Sequence, residues 1–172
     1  MSRPISALAT HIAGVYHEHT REELPLLWQR GMALAAMYAG SRAPHLHGLS
    51  QMLSDLRDLV ETHAWTEDDL LFPVLVAHEH PAVLSTSLSP DALARLVESL
   101  SQEHRRIRRL LGSISVHIDA ADAFPVYVPG WPELRDQVWS LRDHLLEELD
   151  LEDRCLLPRA RQIAARERAS IR

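Results

Sequence analysis

His63 and Glu67 stand four residues apart, and so do Glu148 and Glu152. On an α-helix that spacing puts two side chains on one face with Cβ atoms about 5 to 6 Å apart, near enough to reach one metal ion or two adjacent ions. Each pair precedes a proline by the same interval, Pro73 lying six residues beyond Glu67 and Pro158 six beyond Glu152. The four side chains are therefore expected at one level of a helical bundle. Imidazole and carboxylate together suit iron, manganese or zinc, and polar side chains converging between facing helices are how bundles build dinuclear centres. The chain also carries 11 histidines against three tyrosines and two phenylalanines.

Taken singly, none of these residues argues for a metal. A lone histidine on an apolar face is more often a hydrogen-bonded core residue, and Glu67 beside Asp68, or Glu152 beside Asp153, reads as a solvated acid. Recurrence reverses that reading. The stretch 63–73 aligns without gaps on 148–158 at an offset of 85, and 17–24 aligns on 104–111 at an offset of 87. The halves read as two copies of one helical hairpin. Each supplies a single histidine from its first helix, His17 or His104, and an acid-ended pair from its second.

Four helices are needed to bring these residues together, and the apolar pattern supplies them. Leu53, Leu56, Leu59 and Val60, then Leu93, Leu96, Val97 and Leu100, follow three-and-four spacing, and alternating strand patterns are essentially absent. Helices are predicted over about 4–39, 47–79, 90–118 and 132–168, an all-α, antiparallel, up-down four-helix bundle. Ser89 before Pro90 is an N-cap with proline at the first helical position, and Trp131 before Pro132 marks the fourth start. Pro25 removes a donor inside the first helix and predicts a bend there. The stretch 120–131, with Pro125, Pro129 and Gly130, is the longest connector, with a lid as the alternative role.

Composition removes several function classes. With 172 residues, 46% hydrophobic and 24% charged, the chain fits one domain over 1–172 with a single sizeable core. A net charge of −6 offers no cationic field for nucleic acid. The longest apolar run, 70–77, is far short of the roughly 20 residues of a membrane span, and residues 1–9 lack the apolar region of a secretory signal. One cysteine, Cys155, precludes an internal disulfide, so a reducing cytoplasm is the expected compartment.

Tyr16-His17, Arg21 and Leu24-Pro25, then His63, Glu67 and Leu71-Phe72-Pro73, then Glu103-His104, then Glu152 and Leu156-Leu157-Pro158-Arg159-Ala160, resemble the hemerythrin-like HHE cation-binding family over nearly the whole chain. The closest pattern is that of the metal domain of bacterial iron-centre repair proteins. The cysteine-bearing domain often fused ahead of it is expected to be absent, since the chain begins directly at the first helix. The resemblance implies a non-haem di-iron site held by histidines and two carboxylates in a hemerythrin-like bundle, with dioxygen, peroxide or nitric oxide as small-molecule partner, or iron handled for repair of damaged centres.

Carried over position by position, His17, His63, Glu67, His104 and Glu152 match family ligands. Two positions depart. The family's second first-helix histidine falls on Tyr38 and its final histidine on Glu148, so both keep an oxygen donor, and His144, one turn before Glu148, is a further candidate. Tyr38 is open to three readings: a ligand, a donor holding a carboxylate, which we favour, or a core residue. With Glu67, Glu148 and Glu152 beside only three matched histidines, hard anionic donors favour ferric iron. Ferrous iron is then expected to be consumed by oxygen or peroxide, as in di-iron carboxylate oxidases and peroxidases, rather than to release oxygen unchanged.

The remaining chemistry-bearing residues have plainer expectations. Trp28, Trp65 and Trp139 read as core, and Cys155 as a buried small hydrophobe. His45 and His47 lie about 45 Å along the second helix from His78 and His80, so these read as surface histidines. The arginine runs near 105–109 and 159–168 read as solvated faces. Two rival functions stand beside the di-iron reading: a DinB-like thiol transferase with a mononuclear three-histidine site, and a bundle that has lost its metal through Tyr38 and Glu148 and serves as an interaction module.

Overall fold

The computed structural model describes residues 4–39, 44–80, 88–123 and 127–170, and among these the chain is all-helical, with no strand. It forms four rods. The first, α1, runs over 5–37 and the second, α2, over 44–79; the third, α3, is Pro90–Asp122, and the fourth, α4, covers 131–170. Each packs on the next, and α1 also packs on α4, closing a four-membered ring.

The inner rods depart from the sequence expectation at the start of the second and the end of the third. The second starts at Pro44, where proline's missing N–H falls among donors that a helix start leaves unpaired anyway. The third continues past 118 because Ile114, Ile118 and Ala121 keep the buried three-and-four register. At its other end the Ser89 Oγ accepts from the Ala92 N–H at 3.2 Å. Gly130 opens α4 in a left-handed conformation, φ 84°, that L side chains rarely adopt. Trp131 Nε1 donates to Asp122 Oδ1 at 2.7 Å, tying the start of α4 to the end of α3. Of the connector 120–131, Pro125 and its neighbours 124–126 lie outside the described residues.

Pro25 sits within the α-helical stretch Glu18–Met37, which continues through it. Three wider π-helical turns interrupt the α-helical rods: Ile12–His17, Glu67–Leu71 and Glu152–Leu156. Two begin at the paired acids and end just ahead of the matched prolines. Pro73 and Pro158 have no N–H for the carbonyls of Asp69 and Arg154, and their rings crowd those carbonyls. A wider turn relieves the conflict and re-aims the side chains within it.

The buried interior has three layers along the rods. One apolar cluster joins Ile5, Leu8, Ile12, Leu71, Leu75, Val97, Leu100, Leu156 and Ile163. A larger one joins Leu24, Leu27, Leu53, Leu56, Ile107, Ile114, Leu141 and Leu145. Between them, on every rod, falls a belt of buried polar residues: His17, His63, Glu67, His104, Glu148 and Glu152. No helix among the described residues is long and apolar enough to cross a membrane.

Candidate metal centre

Six side chains from four rods converge in this belt. One potential ligand atom from each of His63, Glu67, His104 and Glu152 lies within 4.8 Å of the others, and His17, Glu148 and Glu152 form a second such group. His17 Nε2 lies 3.1 Å from Glu148 Oε1 and 3.5 Å from Glu67 Oε2. On the other side, His104 Nε2 and His63 Nε2 lie 3.1 and 3.4 Å from Glu152 Oε2, and His63 Nε2 lies 3.9 Å from Glu67 Oε2. Glu67 and Glu152 thus reach both groups. The contacts are close but not aligned: the three Nε2 atoms and all four oxygens of Glu67 and Glu152 are buried without a hydrogen-bond partner. Polar atoms left without partners in a dry interior are costly, and a cation that displaced their protons would satisfy them. The donor set fits a transition metal.

The other ring nitrogens explain why Nε2 points inward. His17 Nδ1 meets Asp68 Oδ1 at 2.9 Å, His104 Nδ1 meets Asp153 Oδ1 at 2.8 Å, and His63 Nδ1 meets Glu103 Oε2 at 3.3 Å. A carboxylate accepting from Nδ1–H fixes ring and tautomer, and leaves Nε2 as the basic donor. These acids are themselves held. Arg21 binds Asp68, Arg108 binds Asp153 at 2.7 Å and Asp150 at 3.1 Å, and Ser99 Oγ donates to Glu103 at 3.3 Å. The Arg–Asp–His chain therefore occurs twice, related by the two offsets seen in the sequence. Exchanging Asp153 for asparagine should lower metal affinity about 10- to 100-fold. Melting of the metal-free protein should move little, because exposed ion pairs contribute about 1 kcal/mol at most. A metal titration giving unchanged affinity would remove Asp153 from the centre.

Charge in the belt is strongly coupled. Burial opposes the His17 imidazolium, yet the hydrogen-bonded Asp68 and the adjacent Glu148 and Glu67 carboxylates outweigh it and push its pKa up to about 12. His63 and His104 are raised in the same way against burial, His63 by Glu67, Glu103 and Glu152, and His104 chiefly by Glu152. Glu67 is pushed up to about 8 by burial and by the facing Glu152 charge. Glu152 moves down, since the adjacent His104 and His63 imidazoles overcome its burial. Two carboxylates this close cannot both ionise freely, so Glu67 keeps the proton.

The sequence-predicted residues divide cleanly. His17, His63, Glu67, His104, Glu148 and Glu152 are brought together. Tyr38 is not: it closes α1, half-buried against the larger apolar cluster, about 30 Å along the rod from His17. That distance overturns its expected role as ligand or carboxylate-holding donor. His144 is half-buried on the flank, its ring 4.9 Å from that of Tyr16 and 4.3 Å from that of His19, and it joins neither group. Trp65 is a further correction, 56% exposed, since two residues from His63 puts it on the opposite helix face. Cys155 is exposed rather than buried; its repeat counterpart Leu70 also faces outward. Trp28 and Trp139 pack against the larger cluster, each under an arginine, Arg57 at 4.2 Å and Arg142 at 4.7 Å. Arg108, expected in a solvated run, holds Asp153.

An all-helical protein with a buried histidine and carboxylate centre suited to a transition metal is the class these observations define. The chain is 25% identical over 159 residues to the iron-sulfur cluster repair protein YtfE of Escherichia coli and to that of Escherichia fergusonii, alignments covering 92% of this chain and 67% of each relative. No family model matches the chain.

Proposed function

We propose that this chain is a hemerythrin-like, antiparallel four-helix bundle forming one domain, which holds two iron ions and handles iron for the repair of iron-sulfur centres. The carrying observation is the set of buried, inward-facing Nε2 and carboxylate atoms with no hydrogen-bond partner. Two overlapping groups, sharing Glu152 and approached by Glu67 from both sides, support two ions rather than one. The likeness to YtfE supports iron and repair. His17 and Glu148 would hold one ion, His63 and His104 the other, with Glu67 and Glu152 between them.

Bound iron would supply one-electron chemistry toward dioxygen, peroxide or nitric oxide. The chain's own part is to fix and dry the centre. Asp68, Asp153 and Glu103 hold the imidazoles by Nδ1, while the two apolar clusters exclude water from above and below. The histidines and Glu67 surrender their protons when metal enters.

Anaerobic loading with ferrous iron, followed by metal analysis, is the test. Two irons per chain are expected. One per chain would favour the mononuclear transferase reading, and none would favour an interaction module.

A further inference from the structure

Outside the belt, where α1 packs on α4 near the surface, two more imidazoles stand together. The rings of His19 and His144 have centres 4.3 Å apart at an interplanar angle of 59°, and both side chains are half-buried. His144 Nε2 is closed off from solvent with no hydrogen-bond partner. Two turns back along α4, Gln137 Oε1 is in the same state. An unpaired buried polar atom destabilises the fold, and these two residues border adjoining depressions that share His19 and Ser140.

The walls of both depressions are rich in acceptors. Glu23 lines one with Gln137, while Asp143 and Glu147 line the other. His19 and Glu23 are four apart on α1, the spacing that His63 and Glu67 use in the belt, so both face α4 together. Neither Glu23 nor Glu147 is engaged in an ion pair among the described residues. Burial and the neighbouring His19 hold the His144 imidazole below its ordinary range, which keeps it in the neutral form that binds metal.

The internal repeat shows that the fold does not require this polarity. By the offsets of 85 and 87, His144 corresponds to Leu59, Glu23 to Leu110 and His19 to Arg106. Leu59 and Leu110 pack against the larger apolar cluster and help seal it. The matching seam between α1 and α4 carries an imidazole and a carboxylate in their place.

Two imidazoles with carboxylates close by suit a divalent transition ion rather than calcium or magnesium, which prefer oxygen alone. Two imidazoles on one zinc ion, bound at about 2.0–2.1 Å, have ring centres roughly 4.5–5 Å apart, so a slight turn of these rings suffices. We infer that His19 and His144, with Glu23, form a second metal site, which takes a divalent transition ion such as zinc and clips α1 to α4. It is separate from the belt, since His144 stands a full turn, about 6 Å along the rod, before Glu148.

The probe is zinc chloride, titrated under argon into the iron-loaded protein and followed by calorimetry, with iron content measured on the same samples. One zinc per chain is expected beyond the iron. His19→Ala and His144→Leu, the second installing the residue of the repeat-related position, should each lose that zinc at unchanged iron content and helicity. Glu23→Gln should weaken zinc by at least about 10-fold, the lower bound for losing even a carboxylate that only supports a ligand. Extra zinc retained by both histidine variants, or no extra zinc in the parent, would overturn the site. The outcome does not hang on the belt: in a chain that takes up no iron, each histidine variant should still bind one zinc fewer than the parent, and equal counts would overturn the site there too.

Discussion

Alanine at both 63 and 67 should leave the protein without bound iron. His63 and Glu67 come from one helical turn of α2 and face the belt together. Glu67 Oε2 lies 3.5 Å from His17 Nε2 and 3.9 Å from His63 Nε2, so its loss removes a donor from each side of the centre at once. Neighbouring acids cannot substitute: Asp68 is committed to His17 and Arg21, and Asp69 faces solvent. Metal analysis should therefore fall from two irons per chain to a trace. The metal-free double variant should still fold, because two buried groups lacking satisfied partners are removed along with the donors. Retention of two irons would refute the assignment, and a melting curve matching the metal-free parent would show that the loss is not one of folding.

Iron should also reverse the dependence of stability on pH. In the metal-free protein His17 titrates near 12 instead of 6.5, and Glu67 near 8 instead of 4.5. Both folded-state values lie above the unfolded ones. The stability they contribute is complete below the unfolded values and declines as pH rises toward the folded ones. Asp68 and Glu103, both lowered, act with the opposite sign, but only in acid below their unfolded values. Metal-free melting temperature should accordingly fall between about pH 6.5 and 9. Metal must displace these protons, so its affinity grows over the same interval. At a hundredfold excess over Kd the stabilisation is about 2.7 kcal/mol, or roughly 5–10 °C for a chain of this size. Calorimetry at several pH values, with and without iron, should show the two melting curves diverging as pH rises; parallel curves would mean that metal binds elsewhere.

The architecture was legible in the sequence because apolar spacing is dictated by burial, and the all-helical chain follows it rod by rod. The convergence of His63, Glu67, Glu148 and Glu152 was legible for a different reason: a repeated spacing tied to a repeated proline fixes a level as well as a face. The π-helical turns were not, since a proline signals a broken ladder but not how the backbone absorbs the break. Asp68 and Asp153 could have been found, for each follows a belt glutamate and recurs at the offset of 85, as Arg21 and Arg108 recur at 87. Their adjacency to solvent made them look like ordinary surface charges. Tyr38 lies 21 residues beyond His17, and along a helical rod that separation carries it about 30 Å from the belt.

The polar belt divides the interior into two greasy blocks that do not share a seam. At the belt the rods are joined by polar bridges, His17–Asp68–Arg21 and His104–Asp153–Arg108, rather than by apolar packing. The smaller block, at Ile5 to Ile12 and Leu156 to Ile163, includes stretches near both ends of the described chain. Local opening of that block would expose the belt edge-on without global unfolding. For the iron handling proposed above, an opening confined to the smaller block would let metal leave while the larger block stays folded.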